Sequence, residues 1–133
     1  MNIEKLSSKY QVRHLEKCDA QTVLDLYESN PLYFEHCPPP PTIQSVEYDM
    51  RALPDGKSIA DKHFVGFFDG NNLVAVLDLI EKYPDKQTVF IGLFMGRSRG
   101  IIYGIIYGIL IDLWIGKNIG ITSICLAVVG IVG

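Results

Sequence analysis

The chain has 133 residues, a formal net charge of −3 and a hydrophobic fraction of 48%. That is one domain's length, apolar enough to bury a core, which excludes a disordered chain. The acidic balance excludes the basic stripe of a nucleic-acid binder. Three scattered cysteines, Cys18, Cys37 and Cys125, exclude a complete disulfide framework and any CxxC zinc pattern, and suit a reducing cytoplasm.

The N-terminal residues 1–17 are polar and charged, with no apolar core of a secretory signal. Residues 10–17 carry Val12 and Leu15 among charged neighbours and predict a half-exposed edge strand. Asp19 is placed to cap a helix whose apolar face is Ala20, Val23, Leu24 and Tyr27. Asn30-Pro31 ends that helix. Residues 31–41, PLYFEHCPPPP, predict a stiff extended connector, because four prolines in a row fit neither a helix nor a central strand. Thr42 predicts the start of a second helix with Ile43, Val46, Met50 and Leu53 on one face, closed by a turn at Pro54-Asp55-Gly56.

Three apolar strands follow. Residues 63–68, 73–80 and 88–95 are separated by the turn clusters Asp69-Gly70-Asn71-Asn72 and Tyr83-Pro84-Asp85-Lys86, the pattern of an antiparallel meander. A long helix over about 100–117 and a buried strand over 121–129 complete the order, and a helix between the last two strands predicts a parallel crossover. The fold class is α+β, a mixed sheet in the order β-α-α-β-β-β-α-β flanked by helices.

Charge and glycine are unevenly spread. Residues 93–133 carry four charged side chains, Arg97, Arg99, Asp112 and Lys117, and nine of the 12 glycines lie at or after Gly92. The chain ends inside the apolar run LAVVGIVG, which predicts a missing or altered C-terminus. The apolar run from residue 100 reaches Asp112 after 12 residues, short of the about twenty that a membrane span needs, so a buried or half-buried helix is the expectation and no membrane partner is implied. The tandem IIYG at 101–104 and 105–108 places glycine at 96, 100, 104 and 108. Two readings stand for these glycines: a cradle of backbone N–H groups for phosphate, or close packing of the helix on a sheet or a partner helix.

The order of elements, and the wording of residues 72–95 and 118–129, resemble the GNAT family of N-acetyltransferases over most of residues 10–129. The family's signature before the long helix is Arg or Gln, two residues, Gly, one residue, then Gly or Ala. Small residues there let backbone N–H groups at a helix N-terminus approach the pyrophosphate of coenzyme A. Here Arg97-Ser98-Arg99-Gly100-Ile101-Ile102 matches the Arg and first Gly, and Arg99 to Gly104 matches the Arg and last Gly. Neither register is complete. The family continues past the last strand with a helix and two further strands, so the resemblance implies a chain truncated after residue 129.

The resemblance implies acetyl-CoA as co-substrate, no metal, and transfer of an acetyl group to the primary amine of a small molecule or peptide. It places the pantetheine arm against the backbone of Leu93, Phe94 and Met95, with Gly92 giving close approach or being merely a strand irregularity. It places pyrophosphate at Arg97, Arg99, Gly100 and Gly104. Asp78 and Glu81 are candidate general bases; Asp78 inside an apolar run would be shifted in pKa unless it faces outward. Tyr33, Phe34, Glu35 and His36, in the connector that borders the family's acceptor site, are candidate substrate-binding residues or simply pack the connector down. The alternative is a non-catalytic remnant that self-associates, as a homodimer, through an exposed edge of the final strand.

Overall fold

Two-residue and longer polar breaks fold the three central apolar stretches into a meander. A computed structural model describes residues 1–114 and 123–126, and side-chain surroundings through residue 110. Strands β2 (Lys62–Asp69), β3 (Asn72–Glu81) and β4 (Thr88–Gly96) pair antiparallel. Gly70 closes the first turn at φ +61°, a left-handed conformation that costs glycine little. Asp85 shapes the second turn by accepting bonds from Gln87 N at 2.9 Å and Thr88 Oγ1 at 2.8 Å. β1 (Gln11–His14) adds antiparallel to β2, and β5 (Ser123–Leu126) adds parallel to β4, so the sheet runs β1-β2-β3-β4-β5. The parallel crossover expected from the sequence is present, carried by α4 (Arg99–Trp114).

Helices α1 (Ala20–Glu28) and α3 (Ile43–Arg51) cover one sheet face. Val23, Leu26 and Tyr27 of α1 and Val46 of α3 pack there against Phe64, Val76 and Met95. A short N-terminal helical turn and α4 cover the other face: Ile3, Leu6, Ile102, Ile105 and Ile109 pack against Val65, Phe67, Leu77 and Phe94. Thr42 caps α3 reciprocally with Ser45, Thr42 Oγ1 accepting from Ser45 N at 3.1 Å and Ser45 Oγ from Thr42 N at 2.9 Å.

Three local expectations change. Asp19 makes no side-chain cap to α1; its carboxylate takes a bidentate pair from Arg13 at 2.9 and 3.0 Å, the stronger partner. The first half of the proline-rich connector is a helix, α2 (Pro31–His36), because Pro31 occupies the first helical turn, where its missing N–H costs nothing. Prolines 38–41 then prevent its continuation. Gly104 and Gly108 of α4 do not pack on the sheet: among the described residues a Cβ at either would meet nothing within 4 Å, and the buried face is Ile102, Ile105 and Ile109. Close approach occurs instead at Gly96, where a Cβ would lie 2.8 Å from Ile102 Cγ1. The expected helix end at 115–117, most of the last strand, and its expected exposed edge lie outside the described residues. Among the described residues, no helix is long and apolar enough to cross a membrane.

Candidate functional site

The β3–β4 ladder slips by one residue beside Asp78. Asp78 pairs with Leu93 and Leu79 pairs with Ile91, which leaves Gly92 as the extra residue of a bulge. Asp78 fills the space above it: a Cβ on Gly92 would lie 2.9 Å from Asp78 Oδ2. The same carboxylate meets Lys62 of β2, whose side chain is 1% exposed, with Nζ 2.9 Å from Oδ1 and 3.0 Å from Oδ2. The hydrogen bond goes to Oδ2, so Oδ1 is buried with the ion pair as its contact and no hydrogen bond of its own. Lys62 Nζ also donates to Ala52 O at 2.7 Å, tying β2 to the end of α3. Burial pushes the Asp78 pKa up, against the downward pull of Lys62, and nearby Asp49 adds to the rise.

Asp49 of α3 accepts a hydrogen bond from Tyr27 Oη of α1 at 2.9 Å. Burial raises the Asp49 pKa, while Tyr27 and Lys62 pull it down. Tyr27 is itself pushed up, by burial first and by Asp49 second, so it stays a neutral donor. Two carboxylates therefore face one buried lysine, with Asp78 holding it directly. Of the two carboxylates, Asp49 is the one that lines a cleft of about 200 Å³, together with its partner Tyr27. The cleft lies between the three helices on this face and the end of β4, with Tyr33, Phe34 and Cys37 on one side and Leu93 and Met95 on another.

Of the four connector residues expected to touch substrate, Tyr33 and Phe34 line this cleft, whereas Glu35 and His36 face solvent. Leu93 and Met95 line it too, while Phe94 points to the opposite sheet face and is 1% exposed beneath α4. Glu81 is also on that opposite face. It takes a 2.6 Å bond from His63 Nε2, and the N-terminal ammonium lies 3.4 Å away. His63 Nδ1 in turn lies 2.9 Å from His14 Nε2. Burial raises the Glu81 pKa, but His63 and the N-terminus outweigh it and leave it lowered. The two candidate bases are thus separated by the sheet, and Asp78 is the one beneath the cleft.

β4 leads directly into the first turn of α4. Arg97 is anchored back to β3, its N donating to Val74 O at 3.0 Å and its Nε to Leu73 O at 2.7 Å. Ser98 stands at the cap position, with Ile101 N 3.4 Å from its Oγ. Gly100 leaves open space beside this turn, its nearest neighbour being Ser98 Oγ at 4.0 Å. The helix start therefore offers backbone N–H groups and a positive dipole end to an anion. Among the described residues, no three His, Cys, Asp or Glu side chains are grouped to hold a metal.

Sequence reasoning missed Asp49, Lys62 and Tyr27 as site residues. Asp49 did leave a signal, since it falls three residues after Val46 on the apolar stripe of α3. Nothing local marks Lys62 as buried; its partner is 16 residues away.

No family model matches the chain, and no curated protein matches it. Solved structures do. An acetyltransferase from Thermus thermophilus is 19% identical, with 91% of this chain and 74% of that one covered at a TM-score of 0.63. A possible acetyltransferase from Clostridium difficile is 15% identical, covering 91% and 80% at a TM-score of 0.58. A ribosomal-protein-alanine N-acetyltransferase from Brucella melitensis is 13% identical, covering 89% and 79% at a TM-score of 0.57. The fold they share with this chain is the GNAT fold, as the order of elements led us to expect.

Proposed function

We propose that the chain binds acetyl-CoA along the end of β4 and the start of α4, and transfers the acetyl group to a primary amine held in the cleft at Asp49. One observation carries the reading: Leu93 and Met95, on the strand segment expected to hold the pantetheine arm, also line the cleft that contains Asp49. Donor and acceptor would then meet at one strand end. The first turn of α4 suits the pyrophosphate, and Gly100 leaves room for its approach. Arg99 adds charge there, whereas Arg97 serves mainly to fix the strand-to-helix turn.

In this reading the amine nitrogen attacks the thioester carbonyl carbon, the new C–N bond forms and the C–S bond breaks. The bound ammonium first gives one proton to the cleft carboxylate, Asp49, so that the attacking nitrogen is neutral, and the second proton that nitrogen loses passes to the departing thiolate, giving an acetamide and free coenzyme A. A half-buried carboxylate with a raised pKa suits that task. Asp78 supports it from beneath by holding Lys62, and Glu81 has no part on this face.

Calorimetry and thermal unfolding with acetyl-CoA test the reading. A ligand at about one hundred times its Kd stabilises by ~2.7 kcal/mol, a readily measured rise in Tm. Gly100→Val is expected to leave the fold intact, because its Cβ points into open space, and to weaken coenzyme A binding at least about ten-fold by crowding the phosphate. Absence of both heat and thermal shift at millimolar acetyl-CoA overturns the proposal.

A further inference from the structure

The cleft at Asp49 has walls as well as a charge, and the walls restrict its occupant. Its volume, about 200 Å³, is below the ~300 Å³ at which ordinary small-molecule pockets begin. Its aromatic side is well ordered by contact: Tyr33 and Phe34 meet edge to face with centroids 4.8 Å apart, and Phe34 lies 5.7 Å from Tyr27. Leu93 and Met95 add an apolar surface. Asp49 is the one carboxylate among the described lining residues, and none of these is a lysine or arginine.

Asp49 also retains acceptor capacity. Tyr27 supplies one neutral hydrogen bond, and an ionised carboxylate has about four acceptor positions. Lys62 gives its hydrogen bonds to Asp78 and to Ala52 O. A half-buried anion left in that state is complemented by a cation, and a cation beside aromatic faces gains further attraction. A carboxylate on the same ligand would meet Asp49 with no basic lining residue to receive it, so a zwitterionic amino acid is disfavoured. A polyamine chain would present its further charges to apolar walls, with one carboxylate among the described lining residues to receive them.

We propose that the cleft selects a small aryl-alkyl primary amine that carries no carboxylate, its ammonium on Asp49 and its ring against Tyr33, Phe34 and Met95. What becomes of the amine rests on the acetyl-transfer reading; its binding does not. A simple tie between α1 and α3 would need the Asp49–Tyr27 bond but would not discriminate among ligands.

The test is titration of the full chain with four probes, 2-phenylethylamine, 2-phenylethanol, phenylalanine and spermidine, without acetyl-CoA, followed by protein NMR or calorimetry. The amine is expected to bind at least about ten-fold more tightly than the alcohol, the worth of one charge-assisted bond, and more tightly than phenylalanine or spermidine. Asp49→Asn keeps an acceptor for Tyr27 and is expected to erase the preference for amine over alcohol. Equal binding of amine and alcohol by the wild-type chain overturns the proposal. So does a preference that survives in Asp49→Asn, or no amine binding up to about 10 mM. The wild-type comparison decides the matter even if that variant does not fold. Amine binding without acetyl-CoA binding leaves this inference standing and removes the transfer reading; the converse removes this inference alone.

Discussion

Gly92 is held as glycine by a side chain, not by its backbone conformation. The Asp78 carboxylate occupies the place of its Cβ, and that carboxylate cannot swing away without leaving Lys62. Gly92→Ala should therefore destabilise by about 1–3 kcal/mol, the usual cost of overpacking, as denaturant unfolding will show. The ion pair beneath it obeys a similar asymmetry. Asp78→Asn strands a lysine that is 1% exposed, and Lys62→Met strands a carboxylate whose Oδ1 already lacks a hydrogen bond. Each is expected to cost about 3–5 kcal/mol, because a buried charge left alone is expensive. The double change Lys62→Met with Asp78→Leu should cost less than the sum, with a coupling of about 0.5–3 kcal/mol in a double-mutant cycle. Strict additivity would mean that the pair is not energetically linked.

At the scale of elements, α4 shows two unlike faces. Ile102, Ile105 and Ile109 bury against β3 and β4, while Tyr103, Tyr107 and Leu110 are 62%, 68% and 52% exposed, with Gly104 and Gly108 open between them. Interior glycine costs a helix roughly 0.8–1 kcal/mol against alanine, and among the described residues no contact offsets it. Gly104→Ala and Gly108→Ala are each expected to stabilise the chain by about that amount in thermal or denaturant unfolding. A loss of stability at either position would mean that the glycine contributes a contact. Glycines of one apolar segment thus have opposite predicted effects, because Gly92 lies under a carboxylate and the others face outward. The tandem IIYG made the glycines conspicuous in the sequence, but helical spacing alone did not say which side they faced. α2 shows the reverse case. Four prolines suggested extended chain throughout, yet Pro31 could begin a helical turn and bring Tyr33 and Phe34 onto the cleft.

At the scale of the whole molecule, two pairs of titrating groups on opposite faces of the sheet respond to pH with opposite sign. On the cleft face, Asp49 and Asp78 have raised pKa values, so the folded state binds their protons more tightly than the unfolded chain does. Their ionisation disfavours folding, and that penalty is relieved as pH falls through the raised values. On the opposite face the signs reverse. Burial and His63 lower the His14 pKa, so stability is lost as pH falls below about 6.5, where an unfolded histidine takes up a proton first. Glu81, lowered by His63 and the N-terminus against burial, adds a further loss below the ordinary glutamate range. His14→Gln is expected to flatten the stability profile between about pH 6.5 and 5 relative to wild type. An unchanged slope would remove His14 from the acid response.

The chain by itself determined the strands, the turns, the long helix and the GNAT order, because alternation, helical periodicity, glycine and proline act within a few residues of one another. It also marked Asp78, Tyr33 and Phe34, whose types stood out against their neighbours. Only the tertiary structure decided which carboxylate opens to the cleft. Asp78 meets Lys62 across two strands, Tyr27 meets Asp49 across two helices, and Glu81 turns to the other face. A ladder that slips by one residue at Gly92 helps set those positions. Such partners lie 16 to 22 residues apart, and their burial and charge arise when the sheet brings them together, a distance over which local spacing carries no information.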